Sequence, residues 1–284
     1  MNRAGENIDW EGLRRIRQHF LAAEGPAGNY WSSLRLLESY DRTFAERIGW
    51  KWDAVFHELK LRGWQPRPGP VTDWGCGTAM AARKFLEYAG TDGVAFLVLW
   101  DQVENAIKYG TRRVNRFFPQ VTVRPARQAP FKNPGILLIS HVLNELSEKQ
   151  LEELIQLVAK AEAVIWVEPG TFEASRALIS IREKLRPHLQ VIAPCTHQGV
   201  CGLTAKGSES HWCHHFTQPP ARVHQDPHWS RFVSESRGSK RFVTGVSIVK
   251  ERASVRSGPT SCCARFGCAT RGRVEATEEG REGK

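Results

Sequence analysis

Apolar positions recur at helical spacing through the first sixty residues and then give way to short apolar runs separated by amphipathic stripes. Leu13, Ile16, Phe20 and Leu21 share one helical face, as do Leu34, Leu37 and Tyr40, and Ala54, Val55, Leu59 and Leu61 continue the pattern. Gly25-Pro26-Ala27-Gly28 breaks the first helix from the next, and residues 66–70 (PRPGP) form a stiff joint. Residues 71–74, 93–100 (GVAFLVLW), 136–140 (ILLIS), 163–167 and 189–193 then read as strands, alternating with helical stripes. Ser147 to Gln150 is a capping box that opens a helix running through Lys160, and residues 172–185 read as another helix. A β–α alternation of this kind calls for a doubly wound, mostly parallel α/β sheet with a helical cap before it.

Such a sheet binds ligands beyond the C-terminal ends of its strands. Asp73, Gly75, Gly77, Asp101, His141, Asn144 and Glu168 all fall there. The first of these ends reads D-W-G-C-G-T at 73–78. Glycines let the backbone turn sharply and approach a ligand, and the first N–H groups of the following helix face the same point. The D-x-G-x-G spacing, unlike G-x-G-x-x-G, suits S-adenosylmethionine (SAM), which has no pyrophosphate to seat. Asp101 ends the second strand 28 residues after Asp73, where a carboxylate can accept from ribose hydroxyls. Asp73, Gly75, Gly77, Asp101 and His141 are therefore the candidate cofactor residues. His141, Asn144 and Glu168 can equally be read as loop caps. Cys76 reads as a small packed residue inside the glycine loop.

Charge adds a partner. The 284 residues carry a net charge of +10 with an ordinary 41% apolar content, which fits a polyanion or a merely basic protein. Arg112, Arg113, Arg116, Arg124, Arg127 and Lys132 form a segment without an acid, interleaved with Phe117, Phe118 and Phe131. That mix suits phosphates and unpaired bases, or else a strand at 121–123 with solvated arginines. Arg14, Arg15 and Arg17 read as a solvated helix face. No apolar run is long enough to span a bilayer, and the first residues lack the apolar core of a secretory signal, so no membrane partner is expected and the cytosol is.

Seven cysteines in such a compartment are thiols or metal ligands rather than disulfides. Cys195, Cys201 and Cys213 stand in a Pro- and Gly-rich stretch with His197, His211, His214 and His215. The C-x5-C-x11-C spacing is neither a zinc ribbon nor a ferredoxin run. Zinc would take the three cysteines and a histidine. An iron–sulfur cluster would want a fourth sulfur, available at Cys262, Cys263 or Cys268. A loop so poor in apolar residues also needs organising, which a metal can do.

Five motifs in order resemble one family: DWGCGT at 73–78, SHVLNEL at 140–146, VEPGT at 167–171, APCTHQGVC at 193–201 and HWCHHF at 211–216. The chain is similar to the methyltransferase-like proteins associated with the small ribosomal subunit of mitochondria and bacteria, the Rsm-type family. The resemblance implies a SAM-methyltransferase-like (Rossmann-type) fold with a Cys-rich C-terminal extension. It also implies a [4Fe–4S] cluster on Cys195, Cys201, Cys213 and a fourth cysteine, for which Cys268 fits best. Its implied partner is small-subunit ribosomal RNA, in the mitochondrial matrix if the cell is eukaryotic. The expected organisation is a helical region at 1–69, the α/β domain at 70–193, the Cys/His-rich segment at 194–250, and a polar basic tail at 251–284 whose composition fits partial disorder. Residues after 228 offer one strand, at 241–249. The enzyme reading is methyl transfer to small-subunit RNA, with Asn144 or Glu145 orienting an acceptor amine; no amino-acceptor motif of the N-P-P-[YF] type is present. The rival is a non-catalytic RNA-binding assembly factor with structural SAM and cluster. A zinc-bound methyltransferase acting on a small molecule is a third reading.

Overall fold

The computed structural model describes residues 8–22, 31, 33–126, 132–217, 220 and 242–251. Three helices come first: α1 (Trp10–Ala22), α2 (Leu34–Asp41) and α3 (Phe44–Leu61). The α/β series follows as β1 (Gly69–Trp74), α4 (Met80–Ala89), β2 (Val94–Trp100), α5 (Glu104–Phe117), β3 (Val123–Pro125) and β4 (Ile136–Ser140). It continues with α6 (Glu148–Lys160), β5 (Ala163–Pro169), α7 (Phe172–Leu185), β6 (Gln190–Ala193), β7 (His215–Thr217) and β8 (Phe242–Glu251).

The sheet runs β3-β2-β1-β4-β5-β8-β6, with β7 paired to β8. β3, β2, β1, β4 and β5 are parallel, while β8 lies antiparallel between β5 and β6. The order reverses at β1, so the crevice at the tips of β1, β2 and β4 is the switch point of a doubly wound sheet. The central strands are buried on both faces and read as unbroken apolar runs for that reason: Leu137, Leu138, Ile139, Ile165 and Trp166 have no exposed surface.

Local signals set the helix ends. Ser147 accepts from the Gln150 N–H and Gln150 reaches back to the Ser147 N–H, so α6 opens on a complete capping box. The basic segment, read either as a nucleic-acid contact or as a strand at 121–123 with solvated arginines, first extends α5 to Phe117 and then gives the short strand β3. Arg113 pairs with Asp41 at 2.8 Å, and the Arg124 guanidinium lies 3.7 Å over the Phe96 ring. Phe118 packs on the core and Phe117 is exposed. Arg127 and Phe131 lie outside the described residues.

The helical region is tied to the α/β domain by charge as well as packing. Asp41, 1% exposed, ends α2 and meets Arg83 of α4, Arg113 of α5 and the Tyr109 hydroxyl at 3.3 Å. On α3, Trp52 donates to Ser140 Oγ at 3.0 Å and Lys51 Nζ sits 3.1 Å from His141 Nε2. Two neighbouring side chains of α3 thus hold it over the tip of β4.

Among the described residues, no helix is long and apolar enough to cross a membrane.

Candidate functional site

A cavity of about 900 Å³ opens at the C-terminal tips of β1, β2, β4 and β5, roofed by α2 and α3. Its size falls in the range of small-molecule and cofactor sites. Gly75 and Gly77 make the loop after β1 with φ of +70° and +51°. A side chain at Gly75 would strike Val142 at 2.8 Å, whereas one at Gly77 would meet no atom within 4 Å. Gly77 therefore presents bare backbone to open space, as a ligand cradle requires. Ala79, which precedes α4, also takes a left-handed conformation (φ 57°).

Asp101 stands beside this loop. Its Oδ2 accepts from the Gly77 N–H and its Oδ1 from the Val103 N–H, both at 2.9 Å. Burial raises its pKa, and those backbone N–H groups oppose the rise. Each oxygen keeps lone-pair capacity for a further donor. Trp74 and Trp100 pack at 4.6 Å between ring centroids on the same wall.

Asp73, the first residue of the motif, sits elsewhere. It is 1% exposed, and its Oδ2 accepts from the Ala82 N–H in the first turns of α4. Burial pushes its pKa up to about 8. It pins the helix under the loop and is not part of the cavity wall.

His141, Asn144 and Glu145 do line the cavity, the latter two on a single 3-10 turn, Leu143–Glu145. His141 adopts φ 56°, and burial and then Lys51 hold its pKa well below the ordinary value, so its ring is neutral. Glu168 was legible as a rim residue, and the structure gives it two oxygens with different lives. Oε1 accepts from Trp166 Nε1 at 2.7 Å and from the Val142 and Leu143 N–H groups at 3.1 and 3.3 Å. Oε2 is buried with no hydrogen-bond partner among the described residues. Burial lifts Glu168 to about 7.

Lys51 is the residue that sequence reasoning missed. A lysine in an amphipathic helix reads as solvated, and only the fold brings it over His141. Burial, with Arg47 beside it, lowers Lys51 to about 7.

The cysteine–histidine stretch is held by side chains from the end of α3 and from α7. Arg62, the residue after α3, donates to the carbonyls of Ile192, Pro194 and Cys195 at 2.8, 3.0 and 3.2 Å. On α7, Arg182 donates to the carbonyls of His197 and Gly199 at 3.3 and 3.1 Å, and Arg176 to that of Leu203 at 2.6 Å. Glu183 accepts from the Cys201 N–H at 3.1 Å, and Ser175 brackets Cys213 through both of its backbone groups. Arginine–carbonyl contacts thus help to organise the stretch. Cys195 and Cys201 are electrostatic neighbours, while Cys213 Sγ faces His215 Nε2 at 3.8 Å. Among the described residues, no three His, Cys, Asp or Glu side chains are grouped to hold a metal ion. The set of Cys195, Cys201 and Cys213 is thus not assembled there, and Cys268, Cys262 and Cys263 lie outside the described residues.

The sheet order and the loop–carboxylate cavity define a protein of the doubly wound α/β class with a cleft at its switch point. The profile of the family described as mitochondrial small ribosomal subunit Rsm22 matches residues 69–262. The chain belongs to that family, which links it to the small ribosomal subunit.

Solved structures match the chain at low identity. A provisionally assigned RNA methyltransferase from Pyrococcus horikoshii is 12% identical, with 85% of this chain and 98% of that one covered and a TM-score of 0.44. Magnesium protoporphyrin IX methyltransferase from Synechocystis PCC 6803, solved with bound SAM, is 10% identical, with 85% and 97% covered and a TM-score of 0.44. Precorrin-6y C5,15-methyltransferase from Geobacter metallireducens GS-15 is 11% identical, with 71% and 88% covered and a TM-score of 0.42. A search of the curated proteins found no match.

Proposed function

We propose that the cavity binds SAM and that the protein acts on, or bound to, the RNA of the small ribosomal subunit. The observation that carries this reading is the pairing of Gly77, whose Cα faces open space, with the Asp101 carboxylate on one cavity wall. Asp101 would accept from the ribose hydroxyls, and the glycine loop would let the cofactor lie against bare backbone. Bound SAM supplies an electrophilic methyl group on a cationic sulfur. The protein's work is then to hold an acceptor in line, exclude water and take up a proton. Asn144 and Glu145 are candidates to orient that acceptor, since their turn borders the same cavity. The net charge of +10 favours an RNA partner. In a eukaryotic cell, family membership points to the mitochondrial matrix.

The test is transfer of labelled methyl from SAM to small-subunit RNA. Transfer that is abolished in Asp101→Ala supports the enzyme. RNA binding that survives Asp101→Ala, with no transfer by either protein, supports the non-catalytic assembly factor instead.

A [4Fe–4S] cluster on Cys195, Cys201, Cys213 and Cys268 is the second proposal, supported by the motif resemblance and by the proximity of Cys195 to Cys201. The described residues alone do not make such a site, so no chemical step is assigned to it. Iron and acid-labile sulfide near four per chain in protein purified without oxygen, lost in Cys213→Ser, is the expected result; zinc near one per chain would replace the cluster with a structural zinc.

A further inference from the structure

The cavity has a second end that the cofactor reading leaves unused. In the sheet, β4 lies next to β1 and β5 next to β4, so at roughly 4.8 Å per strand the tip of β5 is about 10 Å from the glycine loop. His141 follows β4, Glu168 stands at the end of β5, and Lys51 comes down from α3 between them. Lys51 Nζ meets His141 Nε2 at 3.1 Å. Glu168 is fully buried, and its Oε2 has no hydrogen-bond partner among the described residues. A buried carboxylate oxygen left without a donor is costly in a folded protein, and at a cavity wall it points to a ligand group that supplies one. His141 holds its position in a left-handed backbone conformation, a strain that the surrounding contacts must maintain.

We propose that Lys51, His141 and Glu168 form the acceptor end of the cavity, where Glu168 Oε2 accepts from, and then deprotonates, an N–H group of a base in RNA.

This rests on the SAM reading above. Methyl transfer from a sulfonium breaks its S–CH₃ bond, leaves the electron pair on sulfur and forms an N–CH₃ bond. The acceptor nitrogen then carries one proton too many, and Glu168 takes it. The charge of Lys51 favours the ionised, basic form of Glu168. His141 is a positioning residue: its Nε2 accepts from Lys51 and fixes the place of that amine. Arg47 on α3, Glu145 after β4, Glu173 on α7 and Asp101 after β2 are further charged groups around the cavity. A carbon acceptor would ordinarily need a thiolate. The cysteine of this cavity, Cys76, is held protonated, with burial raising its pKa well above the ordinary value.

Glu168→Gln separates base from scaffold. The amide oxygen can still accept from Trp166 and the Val142 and Leu143 N–H groups, while the position of Oε2 loses its basicity. The experiment uses methyl-labelled SAM and small-subunit RNA, with nucleoside analysis of the product and calorimetric SAM binding on the same samples. Label on nitrogen is expected. Glu168→Gln should lower the transfer rate by about 10²–10⁴-fold, flatten its pH profile and leave SAM affinity within about twofold. Lys51→Met should lower the rate without weakening SAM. On the protein without SAM, ¹³C-lysine NMR should show one lysine titrating near 7 and moving lower in Glu168→Gln, since the carboxylate raises it. The proposal is overturned by an unchanged rate in Glu168→Gln, by label on carbon, by a Lys51 signal that titrates in the ordinary lysine range, or by SAM binding without any transfer. Failure of SAM to bind at all would instead sink the cofactor reading on which it rests.

Discussion

Asp41→Ala should cost more than any surface change in this protein, because one carboxylate holds two buried or half-buried arginines. Asp41 and the Arg83 side chain are 1% and 9% exposed, and Arg113 is 24% exposed. With Asp41 gone, Arg113 can turn toward water. Arg83 cannot: what remains to it are contacts at 3.4 and 3.5 Å to the carbonyls of Ala79 and Thr78. Breaking a buried pair in this way costs about 3–5 kcal/mol, nearly all of it from the stranded guanidinium. The Tyr109 hydroxyl also loses its acceptor, adding about 1 kcal/mol. Asp41→Asn, which keeps a hydrogen-bond acceptor, should lose about half as much. The assay is urea unfolding followed by tryptophan fluorescence, which the 10 tryptophans make sensitive. Arg83→Met in the Asp41→Ala background should recover part of the loss, since it removes the unpaired charge. A loss under about 1 kcal/mol for Asp41→Ala, or additive effects of the two changes, would refute the reasoning.

Other changes test separate parts of the structure. Glu168 is lifted from 4.5 to about 7, so between those values the folded chain holds a proton that the unfolded chain has released. Stability from this group therefore falls as pH rises through that window and levels off above it. Glu168→Gln should gain about 3 kcal/mol relative to the original protein on going from pH 4 to pH 8, measured by urea midpoints; an equal effect at both values would contradict the buried, raised carboxyl. Ala79→Gly relieves a left-handed alanine but deletes a buried methyl, so the net change in unfolding free energy should stay within about 1 kcal/mol, while Ala79→Val should lose about 3 kcal/mol or more. Arg182→Leu removes the donor to the His197 and Gly199 carbonyls. It should lower stability by about 2–3 kcal/mol and speed proteolysis within 195–213, and unchanged digestion would contradict the arginine scaffold.

The sequence carried the sheet well because its signals are local. Period-2 and period-3.6 patterns, a capping box at Ser147 and a Thr171 cap that accepts from the Ala174 N–H set the ends of α6 and α7 within their own segments. Asp101 was legible too, since the tip of a second strand next to a glycine loop leaves little choice. What stayed hidden depends on distant pairs. Lys51 and His141 are 90 residues apart, and Arg62 reaches the Cys195 carbonyl across 133. In a linear reading each of these cations belongs to a solvated helix face, and only packing shows that it is buried against a carbonyl or an imidazole. The role of Asp73 is hidden in another way. Its place in the motif suggested ligand contact, but its carboxylate is used to anchor α4 beneath the loop.

The central claim is that the glycine loop and Asp101 form a SAM site, and calorimetric titration of SAM into the protein tests it most directly. One site per chain is expected, with affinity falling about 10–100-fold in Asp101→Ala, the loss of charge-assisted hydrogen bonds, and falling also in Gly77→Val, whose side chain would enter the open space beside the loop. No binding by the unaltered protein, or binding that neither substitution weakens, would contradict the account.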